Sequence, residues 1–262
     1  MSGIREITSR HNPAFKALRA VVDDPRRQGR ALLDGIHLVT VCLAHGMTPR
    51  QLLVSESGQQ NPEVAEVLRG AVGVDCTFLR DSLFREISGV TTPTGIAAVI
   101  DIPVASPGEP TGDVLMLDAV QDAGNVGAIL RTAAAAGVGQ VLLGNGCAGA
   151  WTPRVLRAGQ GAHFSLEIRE QVDLAAELGG GQLRSIATVA RGGTGIYDLD
   201  LAGPAVWLVG NEGAGLSPQL MAAATEKATI PLADGTESLN VAAAIAICLF
   251  EARRQRAQPR GG

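Results

Sequence analysis

The chain has 262 residues, of which 46% are hydrophobic and only 3% aromatic, and its formal net charge is −4. This length is enough for one large or two modest domains with packed cores, and the charge excludes a generally adhesive polycation. No apolar run is long enough to cross a membrane and no basic-then-apolar leader opens the chain, so we expect a soluble, cytoplasmic protein. The four cysteines and four histidines are scattered, which argues against a metal site and against a disulfide framework.

Residues 1–102 predict a small unit in which helices alternate with strands. Asn12-Pro13 has the pattern of a helix start, an N-cap residue followed by proline at the first helical position. A second helix is predicted from Gly35 to Ala44, and a strand from Ile96 to Ile102 closes the unit.

The first thirty residues are basic, with an excess of four positive charges. Such a cluster is typical of a solvated face, and it is also typical of a surface that contacts a nucleic-acid backbone. The cluster consists of Arg5, Arg10, Lys16, Arg19, Arg26, Arg27 and Arg30.

A stretch rich in proline and glycine, residues 103–112, has the composition of a linker. We therefore predict a first domain over 1–102 and a second over 113–262. In the second domain short apolar strands alternate with helices, which predicts a mostly parallel sheet covered on both faces. Ligands of such sheets bind beyond the carboxyl ends of the strands.

The first candidate loop of the second domain runs from Asp118 into a helix predicted over Asn125 to Ala136, with Asn125 as a natural N-cap. Arg131 stands out because its neighbours one turn away are all glycine or alanine and include no acidic partner. An arginine on such a helix is commonly a solvated surface residue. Its place at the carboxyl edge of a sheet also suits binding of a phosphate or carboxylate.

The second candidate loop, residues 208–217, is rich in glycine and contains Glu212. Glycine permits positive φ and close approach of the backbone, so the loop is either a plain turn or part of a ligand site. In the second case Glu212 would accept a hydrogen bond from Arg131 or from a ligand. The stretch Gly144–Gly149 matches the dinucleotide fingerprint G-x-G-x-x-G, but Trp151-Thr152-Pro153 separates it from the next helix.

The third candidate loop runs from Ile230 to Asn240 and opens into an almost wholly apolar helix beginning at Val241. Apolar residues on nearly every face predict that this helix is buried. Ser238 and Asn240 are residue types that cap the first turn of a helix.

Together the three loops resemble the motifs of the SpoU/TrmH class of RNA 2′-O-ribose methyltransferases. The similarity covers Asn125–Ala133, Leu208–Leu216 and Ile230–Glu251 in the family's order, and extends to the segment from Trp151 to His163. Ala123 departs from the pattern, because the family commonly has proline there. Residues 1–102 resemble, less specifically, the small substrate-binding domain that many ribosomal-RNA members carry.

This resemblance implies an α/β domain whose C-terminal part forms a trefoil-type knot, preceded by a small α/β RNA-binding domain. It also implies a homodimer, S-adenosylmethionine as cofactor and no metal. By position, the cofactor would contact Gly210, Ile230 and Leu239, with Leu208 and Asn240 nearby. The basic residues Arg5, Arg10, Lys16, Arg19, Arg26 and Arg27 become candidates for RNA contact.

The implied reaction is attack of a ribose 2′-hydroxyl on a sulfonium methyl group, and Arg131 is the central candidate. It would either act as a base or, because a guanidinium is a poor proton acceptor, grip the neighbouring phosphate and stabilise the developing alkoxide. As further hypotheses for this reaction, Asn125 and Ser238 would orient the ribose or Arg131, Glu212 would hold the loop or Arg131, and Asn240 would fix the knot loop.

Ribosomal RNA is the expected substrate, with transfer RNA as the alternative. Two other functions remain open from the sequence: a non-catalytic RNA-binding protein on the same fold, and a nicotinamide-dependent oxidoreductase that uses Gly144–Gly149.

Overall fold

The structure is a computed structural model that describes residues 5–104, 112–181 and 183–257. The predicted linker at 103–112 falls mostly outside these residues, so the boundary there stays a prediction. Within these ranges, no helix is long and apolar enough to cross a membrane.

Strands and helices alternate along most of the chain. The strands are β1 (Arg5–Ile7), β2 (Arg30–Asp34), β3 (Gln51–Ser55), β4 (Cys76–Leu79), β5 (Ile96–Asp101), β6 (Val114–Leu117), β7 (Gln140–Gly144), β8 (Glu167–Val172), β9 (Ser185–Thr188), β10 (Thr194–Gly195), β11 (Val206–Val209) and β12 (Glu226–Thr229). The α-helices are α1 (Pro13–Asp23), α2 (Pro25–Gln28), α3 (Ile36–Ala44), α4 (Pro62–Gly70), α5 (Asp81–Ser88), α6 (Ala123–Ala136), α7 (Pro153–Gly159), α8 (Leu174–Gly180), α9 (Pro218–Ala223) and α10 (Val241–Ala257).

The chain divides into two compact units. The first contains the described residues up to Val104 together with Trp151–Phe164. Its five-stranded sheet has the order β1-β4-β3-β5-β2, in which β5 runs antiparallel to both of its neighbours. The predicted start of α1 is confirmed, because the Asn12 side chain accepts a hydrogen bond of 2.9 Å from the N–H of Ala14. That helix buries Phe15, Leu18 and Val21 in the core of the unit.

The segment Trp151–Phe164 lies between β7 and β8 in the chain but packs with the N-terminal residues. Within the first unit, Arg157 Nη1 lies 3.7 Å from Asp34 Oδ2, and the hydroxyl of Ser88 donates to the same carboxyl at 2.8 Å. Burial outweighs both partners and raises the pKa of Asp34 to about 6. The packing of the Trp151–Phe164 segment also requires glycine at position 161, since a Cβ there would lie 2.6 Å from Val41 Cγ1.

The second unit confirms the predicted α/β fold with a parallel sheet. Its seven strands have the order β10-β12-β9-β11-β6-β7-β8, and every neighbouring pair is parallel. The central strands β6, β7 and β11 are buried along their whole length, as expected for a sheet covered on both faces. All seven strands therefore end at the same edge.

The prediction that the helix from Val241 is buried on nearly every face is wrong for the single chain. α10 packs on α6 and buries Ile245, Cys248 and Leu249, whereas Phe250 is 46% exposed. An apolar sequence shows which faces of a helix can be buried. The described residues of one chain cover only part of the surface of α10.

Candidate functional site at the carboxyl edge of the second sheet

A cavity of about 610 Å³ lies where β9, β11 and β12 end. This is the edge at which parallel sheets bind ligands, and the volume falls in the usual range of ligand pockets. The loops that follow β9, β11 and β12, together with the first turns of α10, form its wall. The lining residues are Thr188–Ala190, Val209–Gly215, Ala228, Ile230, Leu232, Ser238–Val241, Ala244 and Cys248.

The loop after β11 is folded tightly on itself. The N–H of Asn211 donates to the carbonyl of Gly215 at 3.0 Å, and the N–H of Gly215 donates back at 2.9 Å. This places Gly210 so close to the returning strand of the loop that a Cβ on it would lie 2.2 Å from the carbonyl carbon of Gly215. The loop therefore requires glycine at position 210, and the main chain itself forms this side of the cavity.

The start of α6 differs from the prediction that Asn125 caps it. The helix begins at Ala123, and the cap is Asp122, whose Oδ1 accepts from the N–H of Asn125 at 2.8 Å. Asn125 is the third helical residue, so its side chain is released from capping. Its Nδ2 donates to Glu212 Oε1 at 2.7 Å, and its Oδ1 accepts from Asn240 Nδ2 at 2.9 Å.

Asn240 also caps α10, as the sequence predicted. Its Oδ1 accepts from the N–H groups of Ala242 at 2.9 Å and Ala243 at 3.3 Å. Ser238, the other predicted cap, lies two residues before this cap, is exposed and lines the cavity. Both residues therefore line the cavity, but only Asn240 caps the helix.

Glu212, Asn125 and Asn240 form one hydrogen-bonded row that joins the three candidate loops, although the pairs are 87 and 115 residues apart in sequence. Arg131 lies on α6 six residues after Asn125 and is exposed. Among the described residues it has no ion pair, and the carboxylate of Glu212 is bonded to Asn125 instead. The contact between Glu212 and Arg131 that the sequence suggested is thus not present.

The residues predicted to hold a cofactor differ in their position relative to the cavity. Gly210, Ile230, Leu239 and Asn240 line it, whereas Leu208 is fully buried in β11. The carbonyl of Leu208 accepts a 2.9 Å hydrogen bond from the hydroxyl of Thr188, which is itself a wall residue.

Sequence reasoning missed the contributions of β9 and of the α10 interior to the wall. Thr188 ends β9 at the ligand-binding edge, and that position was the available signal. Cys248 is a wall residue that is 1% exposed, and burial raises the pKa of its thiol to about 12. We therefore regard Cys248 as an apolar part of the wall.

In the ranges that the structure describes, no three His, Cys, Asp or Glu residues lie together as a metal site would require.

The Gly144–Gly149 stretch lacks the geometry of a dinucleotide site. Gly144 ends β7, and the next helix, α7, begins only at Pro153. In the fingerprint the helix begins within the glycine motif and its N-terminus faces the pyrophosphate. The nicotinamide alternative therefore has no support from the structure.

Comparison with known proteins points to one family. The model of the SpoU rRNA Methylase family matches residues 113–250. An uncharacterized tRNA/rRNA methyltransferase of Synechocystis is 34% identical over 97% of this chain and 96% of its own. The 23S rRNA (guanosine(2553)-2′-O)-methyltransferase RlmP of Bacillus subtilis is 32% identical over 85% of this chain and 88% of its own.

Solved structures agree with this match over nearly the whole chain. The AdoMet-bound rRNA methyltransferase of Sinorhizobium meliloti superposes with a TM-score of 0.83 at 28% identity, covering 97% of this chain and 99% of that one. The SpoU methyltransferase AviRb of Streptomyces viridochromogenes, in complex with AdoMet, superposes with a TM-score of 0.84 at 26% identity, covering 95% and 100%.

Gly210→Ala tests the tight loop of the cavity. The added Cβ has no room against the main chain of Gly215, so we expect unfolding free energy to fall by about 2 kcal/mol and the melting temperature to fall with it. Gly213→Ala is the matched control, since a Cβ there would only touch Asn211 Oδ1 at 3.5 Å. Equal melting temperatures for the two variants would contradict the close approach.

Proposed function

The chain belongs to the SpoU rRNA methylase family, and we propose that it transfers a methyl group from S-adenosylmethionine to a ribose 2′-hydroxyl of RNA. The observation that carries this proposal is the row Glu212–Asn125–Asn240, whose two end residues line the carboxyl-edge cavity. Ribosomal RNA is the favoured substrate, because RlmP and the Sinorhizobium meliloti protein are both named as rRNA methyltransferases. The Synechocystis relative, named for both RNA classes, keeps transfer RNA as the second candidate.

The cavity suits the proposed cofactor by its size and its lining. Most of its lining residues have small or apolar side chains, and they include the buried Cys248. When bound, S-adenosylmethionine supplies a methyl group already activated by a positively charged sulfur. Gly210, Ile230 and Leu239 would hold it, largely through backbone groups, with Leu208 and Asn240 nearby.

Because the methyl donor is already activated, the chain needs to position the ribose and assist proton loss. A guanidinium stays protonated in proteins and is therefore a poor proton acceptor. We therefore assign Arg131 to gripping the phosphate beside the target ribose and stabilising the developing alkoxide. Asn125 and Ser238 orient the ribose, while Glu212 and Asn240 fix the Asn125 amide from its two ends.

Arg131→Ala is expected to abolish methyl transfer and to leave the affinity for S-adenosylmethionine nearly unchanged, because the residue lies outside the cavity wall. Transfer of labelled methyl to separated ribosomal and transfer RNA measures the first quantity, and calorimetry measures the second. Lys227→Ala, which removes an exposed cation of the same unit, should retain full activity.

Full activity of Arg131→Ala would reject its role. Absence of transfer by the unmodified chain to either RNA class would reject the proposed function and favour a non-catalytic RNA-binding protein. Mapping of 2′-O-methyl nucleosides in RNA from cells with and without the gene identifies the modified position.

For the first unit we propose an RNA-binding role centred on its basic residues. Arg10 and Arg19 converge on one carboxylate, with Arg10 Nε 2.5 Å and Arg19 Nη1 3.5 Å from Glu86. Their charge is therefore partly compensated. Lys16, Arg26 and Arg27 are exposed, and Arg5 has its side chain outside the described part of the structure.

Arg26→Ala with Arg27→Ala should weaken RNA binding and flatten its dependence on salt. Each lost phosphate contact lowers the slope of log affinity against log salt by about 0.7 to 0.9. Filter binding over a salt series measures this slope, and Arg69→Ala, an exposed arginine of α4, serves as the control. An unchanged slope in the double variant would place the RNA elsewhere.

We further propose that the chain forms a homodimer through the uncovered side of α10, that residues near 230–240 form a trefoil-type knot, and that the protein acts in the cytoplasm. The exposed Phe250 supports the first point, since a large apolar side chain on a helix is stabilised by a partner surface. The likeness to SpoU methyltransferase structures supports the second. An experimental backbone trace through the cavity loops tests the knot.

Phe250→Asp is expected to shift the protein from dimer to monomer, because a carboxylate would be buried at the proposed interface. Light scattering coupled to gel filtration gives the mass. Val72→Asp is the control, since Val72 is an apolar residue that is 89% exposed and lies in the first unit. A dimer that survives Phe250→Asp would exclude this face of α10.

A further inference from the structure

Asn211 bonds to two different loops through one side chain. Its Oδ1 accepts from the N–H groups of Gly213 at 2.9 Å and Ala214 at 3.0 Å, both within its own loop. Its Nδ2 donates to the carbonyl of Ala119 at 2.8 Å, in the loop that leads into α6. The amide thus shapes the cavity loop with one end and ties it to the α6 loop with the other.

The turn that receives this tether is strained. Ala119 has a φ of 54°, in the left-handed region that side chains other than glycine rarely adopt. Three residues later Asp122 caps α6 and holds the N–H of Asn125. A conformation of this kind persists where surrounding contacts fix it, and the bond from Asn211 to the Ala119 carbonyl is such a contact.

We propose that Asn211 is a positioning residue for the methyl transfer, acting through the contact between Glu212 and Asn125. Glu212 follows Asn211 directly in the chain, and Asn125 lies on the helix that begins just after Ala119. A tether between the two loops therefore sets the distance across which Glu212 and Asn125 meet. This inference rests on the proposed function, because it assigns Asn125 to the ribose.

Only an asparagine can make both sets of hydrogen bonds at position 211. The side chain must accept two N–H groups and donate one, in a plane and at short range, and aspartate retains only the accepting part. Asn211→Asp therefore separates the two roles: the loop can keep its own shape, while the tether to Ala119 loses its donor and faces a carboxylate. Asn211→Ala removes both.

The test measures single-turnover methyl transfer, the affinity for S-adenosylmethionine and hydrogen exchange at Gly213 and Ala214. In Asn211→Asp we expect the rate to fall about 10- to 100-fold, as for a reacting group displaced by about 1 Å. The affinity should stay within about threefold and the two amides should stay protected. In Asn211→Ala the rate and the affinity should both fall, and the amides should exchange faster.

Asn61→Asp is the matched control, since Asn61 also accepts from an N–H, that of Glu63 at 2.9 Å, and donates to a carbonyl, that of Thr94 at 3.4 Å. It lies in the first unit and should keep the normal transfer rate. An unchanged rate in Asn211→Asp, or a loss of affinity and protection equal to that of Asn211→Ala, would overturn the positioning role. Inactivity of the unmodified chain would instead overturn the proposed function.

Discussion

The hydrogen bond from Asn125 to Glu212 fixes the direction of hydrogen-bond donation along the polar row of the site. A carboxylate only accepts, so the Asn125 amide must present its Nδ2 to Glu212 and its Oδ1 to the other side. At the far end, the N–H groups at the start of α10 only donate, so they take the Oδ1 of Asn240 and leave its Nδ2 for Asn125. Donation therefore runs one way along the row, from Asn240 through Asn125 to Glu212, and each amide has a single satisfied orientation.

Sheet topology explains why residues so distant in sequence meet. β6 and β11 are neighbours and parallel, so the loops that follow them, leading to Asn125 and carrying Glu212, emerge side by side. β12 joins the same edge beyond β9, and the chain that leaves it returns to the cavity before entering α10. α10 then packs on α6, which brings the Asn240 cap beside Asn125. Strand order therefore brings the three candidate loops together, and the hydrogen bonds of the Glu212–Asn125–Asn240 row link them.

Local chemistry made much of the fold predictable, and its failures have local causes as well. The helix start at Asn12 and the alternation of strands and helices follow from patterns within a few residues. The start of α6 was misplaced because both Asp122 and Asn125 are good capping residues, and the choice between them depends on which one a distant glutamate engages. The exposure of Phe250 could not be read from composition, because an apolar face does not reveal whether its cover belongs to the same chain. Nor did any pattern indicate that Trp151–Phe164 would pack with the N-terminal residues, where Gly161 leaves no room for a Cβ against Val41.

The pairing of Glu212 with a neutral amide also bears on Arg131. Opposite charges attract, so a carboxylate bonded to Arg131 would compete directly with an incoming phosphate. In the structure Glu212 is engaged by Asn125, and the helical neighbours of Arg131 are small and uncharged: Gly127, Ala128, Ala134 and Ala135. The guanidinium therefore keeps its charge for an anion from outside the chain, and the small side chains around it leave room for a nucleic-acid backbone to approach. Because Glu212 bonds to the Asn125 amide and not to Arg131, it orients the polar row without neutralising the residue proposed to bind the substrate.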